Sequence, residues 1–382
     1  MAIISLGKIN KKILFPIIGG IFKLSAEFAT KGLSDVYEIE LEKHPFILGI
    51  NAGLGFCLSF IPYLIFKKNY DYLDKKHFEE NEKKQLIFNE DDDIYLEKSY
   101  NKHRLLYIIG FCDFIQKFLA FLYIGLYNFW IFDIPFMMLF SYFILKEKLY
   151  KHHFVSLILI ILFGIVIIVI YYLCSNTDNE FFFKILNTLV IEIIFSLEIV
   201  IAKYAIEYKF CSPYEICLME GIVILIINLI LLILFTFVPL SEINYIKYIE
   251  YDGKIYLDNF IQYFSQISYI EAILFIIIML SRFGFNIFCL LTTKYFTPSH
   301  IIIILIIGEV YFALKDLVFS WKKFVLSGLY IILIFVLLVF LEIIEINCYG
   351  FQKNTEKNIS IRAKEIDLTL IEDELEEEKE EE

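Results

Sequence analysis

Phe154-Val155-Ser156-Leu157-Ile158-Leu159-Ile160-Ile161-Leu162-Phe163-Gly164-Ile165-Val166-Ile167-Ile168-Val169-Ile170-Tyr171-Tyr172 is a stretch without a single charge. As a helix it is about 28 Å long, close to the thickness of a bilayer's hydrocarbon core. The run is continuous and does not alternate with a period of two, which indicates a helix rather than a barrel strand. Working outward, apolar windows of similar kind fall at 13–32, 45–66, 105–127, 129–145, 183–206, 214–238, 269–291, 299–319 and 324–344. With 154–173 these make ten, and the sequence predicts an all-α integral membrane protein with ten transmembrane helices.

Composition agrees. The chain has 382 residues, 59% hydrophobic and 18% aromatic, against roughly 45–50% apolar in an ordinary soluble domain. Its net charge of −12 is unevenly placed, because Glu365 to Glu382 hold eleven acids and one lysine. The rest is nearly neutral, with 35 acids and 33 bases. Three arginines and no basic stripe argue against a nucleic-acid partner. The seven cysteines lie mostly in apolar runs without a CxxC pair, so they read as small buried hydrophobes. Residues 351–382 are expected to be an acidic, disordered cytosolic tail.

The windows divide into two sets. Tyr142-Phe143-Ile144-Leu145-Lys146-Glu147 returns 169 residues later as Tyr311-Phe312-Ala313-Leu314-Lys315-Asp316, and His153-Phe154-Val155 is echoed by Lys323-Phe324-Val325. Ala29-Thr30-Lys31 parallels Ile201-Ala202-Lys203, with Glu27 and Glu198 upstream. The chain therefore reads as two five-helix halves, 1–176 and 177–350, the first including a charged cytosolic loop at 67–104. Five is odd, so the second half must cross the membrane in the opposite sense. Such inverted repeats build secondary transporters, with the substrate site where the halves meet. Lysines at 8, 11, 12, 146, 148 and 151 and in the 67–104 loop place both termini in the cytosol; Lys322 and Lys323 point the other way.

Several motifs resemble the drug/metabolite transporter superfamily. These are Phe143-Ile144-Leu145-Lys146-Glu147-Lys148-Leu149 closing the fourth window and Leu157 to Val166 in the fifth. Ala202-Lys203-Tyr204, Cys211-Ser212-Pro213, Glu220-Gly221 and Thr292-Thr293-Lys294-Tyr295-Phe296-Thr297 resemble its solute carrier 35 F-type and chloroquine-resistance-transporter-like branch. The resemblance covers about 13–345. It implies a five-plus-five fold and transport of a solute, and leaves the cargo open among nucleotide sugars, phosphorylated sugars, amino acids, peptides and drugs.

Ionisable groups inside a bilayer are costly, so their positions are informative. The fifth and tenth windows have none over 154–172 and 324–341, and read as lipid-facing scaffold or a homodimer seam. Lys23, Glu27 and Lys31 make one i,i+4 stripe, and Asp113 and Lys117 share that spacing beside Gln116. Glu192 and Lys203 are three turns apart on one face, with Glu198 about 120° away and expected to look elsewhere. Arg282 and Asn286 are one turn apart, and Glu309 is mid-window. Glu215, Glu220 and Lys294 sit near window ends and are expected to reach the interface. Lys117, Lys203, Arg282, Asn286 and Gln116 are the candidate substrate-binding residues. Glu27, Asp113, Glu192 and Glu309 are the candidates for proton or ion coupling.

His152-His153 and Gly53-Leu54-Gly55 lack the further residues of a metal site or a dinucleotide loop, so neither metal nor cofactor is expected. No nucleophile–base constellation points to an enzyme. The expected protein moves a small charged or zwitterionic metabolite by alternating access, coupled to protons or by exchange. A nucleotide-sugar antiporter of the secretory pathway is the alternative within transport, and a non-transporting membrane scaffold or receptor the alternative outside it. An endomembrane (Golgi or ER, vacuole or lysosome) is expected over the plasma membrane.

Overall fold

The computed structural model describes residues 11–32, 43–67, 94–122, 130–147, 151–174, 181–239 and 248–307, with isolated positions at 332, 334, 336 and 337. Glu309, the tenth window apart from those positions, the second copy of the six-residue repeat and the acidic tail lie outside the described residues.

Among the described residues, nine helices coincide with the first nine windows. They are α1 (Lys11–Glu27, prolonged by a π-helical turn Phe28–Gly32), α2 (Pro45–Cys57, the span running on to Lys67), α3 (Ile94–Leu122), α4 (Asp133–Phe140) and α5 (Lys151–Cys174). Then follow α6 (Phe181–Tyr208), α7 (Pro213–Phe237), α8 (Tyr269–Tyr295) and α9 (Pro298–Ile307, opening as a 3-10 turn). Six of them, α2, α3, α5, α6, α7 and α8, are long and apolar enough to cross a membrane. The chain is a helical, multi-pass membrane protein. The end of the charged loop departs from expectation: 94–104 is helical and extends α3 by eleven residues before its window. Hydropathy marks where a helix enters apolar surroundings, not where its hydrogen bonding begins.

Local chemistry sets the helix starts. Pro213 follows Ser212, whose hydroxyl accepts from the Tyr214 amide at 3.3 Å. Ser268 and Glu271 form a reciprocal capping box at the start of α8, at 2.6 and 3.2 Å. The cap of α2 comes from far along the chain: Asp258 Oδ2 accepts from the Phe46 and Ile47 amides at 2.8 and 3.2 Å. Its Oδ1 contacts His44 Nδ1 at 2.7 Å. The segment between α7 and α8 is thereby fixed to α2. It holds a two-stranded hairpin, β1 (Ile249–Tyr251) and β2 (Lys254–Tyr256), closed by Asp252-Gly253, both at positive φ. A short helix, Phe260–Gln266, follows. At the other end of the bundle, Ser141–Leu145 winds as a π-helix and stops at Lys146, which adopts the left-handed conformation.

The packing pattern has an internal order. α1 packs on α8 and α3 on α6; α3 packs on α7 and α8 on α2; α4 packs on α6 and α1 on α9. α2 and α7 pack on each other. Exchanging α1 with α6, α2 with α7, α3 with α8 and α4 with α9 maps these pairs onto one another, whereas the α6–α8 and α8–α9 contacts have no counterpart of similar extent in α1–α3 and α3–α4. At the α2–α7 crossing Gly53 faces the Leu225 backbone, and Gly221 faces the backbone of Cys57 and Gly53. Only the missing Cβ atoms permit that approach. The span of α5 is the least buried of the six, with Ile158, Leu162 and Ile165 exposed, as an uncharged outer helix requires. Cys57, Cys112, Cys211, Cys217 and Cys289 form no disulfide among the described residues.

Candidate functional site

A cavity of about 380 Å³ lies between α1, α3, α4, α6 and α8. Its wall contains Lys23, Glu27, Asp113, Gln116, Lys117, Asp133, Glu192, Glu198, Arg282 and Asn286, set among Phe56, Phe121, Phe195, Phe285 and aliphatic side chains. Among the described residues the wall therefore holds three cationic side chains and five carboxyls.

The cations are engaged within the protein. Lys23 pairs with Glu27 at 3.5 Å and donates to the Leu305 carbonyl at 3.1 Å. Lys117 pairs with Asp113 one turn away and stands 4.7 Å from the Phe56 ring centre. Arg282 donates through Nη1 to the Leu48 carbonyl at 2.8 Å, and its guanidinium carbon is 4.7 Å from the Phe121 ring centre. Cation–π contact of this kind is strongest where water is excluded. The carboxyls are less fully matched. Asp113 Oδ2, Asp133 Oδ2 and Glu198 Oε2 are buried with no hydrogen-bond donor among the described residues. Behind the wall, Glu220 accepts from Asn286 Nδ2 at 2.6 Å through Oε2, and its other oxygen likewise has no donor. No group of three or more His, Cys, Asp or Glu among the described residues is arranged to hold a metal ion.

The structure thus brings Glu27, Asp113, Gln116, Lys117, Glu192, Arg282 and Asn286 to one cavity. Lys203 is not on its wall: the amine pairs with Glu207 at 2.6 Å and donates to the Phe296 carbonyl at 2.8 Å. It shares a face with Glu192, but eleven residues carry it about 16 Å along the axis. Glu198 does line the cavity, contrary to the angular argument, because the cavity wraps round α6 from Ile191 to Ile199. Glu220 does not reach the interface; it is fully buried where α7 passes beneath α2 and α8. Glu215 fits the expected interface position better, partly exposed and paired with Lys102 at 3.1 Å. Sequence reasoning passed over Asp133, although it is the one charged residue of its window.

One regularity joins site to fold. Lys23 and Glu192, Ala26 and Phe195, and Thr30 and Ile199 are wall residues 169 apart. So are Asp113 and Arg282, Gln116 and Phe285, Lys117 and Asn286, and Ala120 and Cys289. That spacing is the one separating the two copies of the six-residue repeat. No protein-family model and no curated protein matches the chain.

Proposed function

We propose that the protein is a secondary transporter whose halves, 1–176 and 177–350, are inverted repeats rocking about the charged cavity. The observation that carries this reading is the recurrence of wall positions at a spacing of 169, supported by the main helix pairs that map onto one another when the halves are exchanged. A wall built from equivalent helices of two oppositely oriented repeats can close at either end with similar contacts, which alternating access requires. The drug/metabolite transporter resemblance points the same way.

The wall's chemistry narrows the cargo. Carboxyls outnumber cations, and each cation already has a partner, so a zwitterionic or cationic metabolite suits the cavity better than a polyanionic nucleotide sugar. Arg282 and Lys117 orient a carboxylate while the opposite carboxyls take an amine. The uncharged outer face of α5 meets lipid or a second copy of the chain, and the termini are cytosolic in an endomembrane.

Reconstituted proteoliposomes test the reading with labelled amino acids, polyamines and nucleotide sugars. The expected result is flux of an amine-bearing solute that falls about tenfold or more in Arg282→Ala and Asp113→Asn. No flux of any of the three classes, or flux indifferent to both substitutions, overturns it.

A further inference from the structure

A second cavity, of about 390 Å³, shares no lining residue with the charged one. It lies between the first turns of α2, the last turns of α7, the short helix Phe260–Gln266 and the first turns of α8. Its chemistry is the reverse of the other cavity's. Nine of its ten lining side chains are hydrocarbon, and the tenth is Tyr263. A charged solute finds no counter-charge on such a lining. An apolar cavity of only about 150 Å³ stays dry and takes up benzene, so this one suits a larger apolar guest.

Burial of the lining shows where the cavity opens. Ile47 and Leu232 form its inner side, 3% and 5% exposed, whereas Leu54, Phe264, Ile267 and Ile276 are exposed. Leu54 and Ile276 belong to helices long and apolar enough to cross a membrane, and Ile273, Ile277 and Leu280 on α8 are exposed beside Ile276. From Ile47 to Leu54 the cavity follows α2 for about 10 Å, within the roughly 15 Å of hydrocarbon that one leaflet contributes to a bilayer core.

The short helix marks the membrane's edge. Asn259 Oδ1 accepts from the Ile261 and Gln262 amides at 3.0 and 3.1 Å, and the Phe260 amide donates to Thr236 Oγ1 at 3.3 Å. The helix is thereby fixed to the end of α7, and Ile261, Phe264 and the adjoining Ile267 are exposed. Exposed apolar side chains on a short helix at the end of a span belong in the interface, where headgroups give way to chains. The cavity begins at that level and opens into hydrocarbon.

We propose that it is a binding site for one acyl chain of a membrane phospholipid, which enters sideways past Leu54 and Ile276 and lies between α2 and α8. The bound chain braces the helix pair that holds Arg282. Asn51 on α2 donates to the carbonyl of Phe275, a lining residue of α8, at 2.7 Å, and Arg282 donates to the carbonyl of Leu48, next to Ile47. The site rests on the membrane setting alone and not on the transport reading.

Photolabelling tests it. Purified full-length protein is placed in nanodiscs of phosphatidylcholine, a fraction of which carries a diazirine on one acyl chain, and the label is mapped on peptides after illumination. Bulk lipid reaches outward residues such as Ile158 and Leu162 on α5. A bound chain also marks Ile47 and Leu232. The expected result is label at both inner residues in the wild type, falling to background in Ala272→Trp, whose indole fills the cavity, with α5 labelled as before. No label at Ile47 and Leu232 in the wild type, or label there that survives Ala272→Trp, overturns the site. A photoactivatable sterol that marks the inner residues where the phospholipid does not overturns the acyl chain as occupant. Should Ala272→Trp fail to fold, Leu54→Trp narrows the mouth from its exposed side and must reduce the inner label; an undiminished label overturns the proposal.

Discussion

Asn286 on α8 donates to Glu220 on α7 at 2.6 Å, behind the cavity wall, where the carboxyl has no solvent exposure. The same amide also approaches Cys217 Sγ at 3.6 Å. This bond fastens α7 to a helix that carries Arg282 one turn away. Removing the donor is more damaging than neutralising the acceptor, because the buried carboxyl then keeps no hydrogen-bond donor among the described residues. Asn286→Leu is expected to destabilise by about 3–5 kcal/mol, and Glu220→Gln by about 1 kcal/mol. Thermal unfolding in detergent measures the difference. Equal shifts for the two variants contradict it.

The α2–α7 crossing has no room for a side chain. A Cβ on Gly221 meets the Cys57 nitrogen at 2.7 Å and the Gly53 oxygen at 2.9 Å, and a Cβ on Gly53 meets the Leu225 nitrogen at 2.8 Å. These neighbours are backbone and cannot swing aside. Gly53→Ala and Gly221→Ala should each cost about 1–3 kcal/mol, and less than the sum together, since one widened crossing relieves both. Size-exclusion profiles and unfolding midpoints of the three variants decide this. Additive losses contradict the shared crossing.

Asp258 ties the segment before α8 to the start of α2. Its carboxylate takes two amides of α2 and contacts His44, and both side chains are buried. Asp258→Ala removes the cap and leaves His44 Nδ1 without this contact, a loss of about 2–4 kcal/mol. Asp258→Asn keeps a cap oxygen and should fall between. Limited proteolysis of the 238–268 segment reports it: faster cleavage in the alanine variant than in the asparagine variant is the expected order, and unchanged cleavage in both rules the tether out.

What was legible in the sequence is what hydropathy and spacing encode. The windows coincide with the described helices because a bilayer demands long apolar runs. The spacing of 169 found in Tyr142 to Glu147 recurs in wall residues that have no sequence similarity at all, such as Asp113 and Arg282. Depth and partnership were not legible. A helical wheel puts Lys203 with Glu192 and the spacing sets them about 16 Å apart along the axis, but neither says how far along α6 the cavity reaches. Glu220 looks peripheral until the partner helices that cover it are known. Asp133 meets Ser196 only because of how α4 packs on α6. The Asp258 cap lies 212 residues from Phe46, beyond any local rule.

Tyr263 gives the pH prediction. It lies in the short helix between α7 and α8, is 5% exposed, packs against the His44 ring and has no hydrogen-bond partner for its hydroxyl among the described residues. Burial, with Glu271 and Asp258 adding negative charge nearby, pushes its phenol up to about 12. The unfolded phenol ionises near 10. A folded value raised above the unfolded one gives stability that is fully present below about pH 10 and disappears as the pH rises through about 12. The wild type should therefore lose thermal stability across that interval more steeply than Tyr263→Phe, which has no proton to lose there. Below about pH 9, where the phenol is neutral in both states, the gap between the two proteins should not change with pH. Unfolding midpoints recorded at intervals from neutral to strongly alkaline pH test this, and curves that fall in parallel would show that the Tyr263 hydroxyl is solvated rather than enclosed.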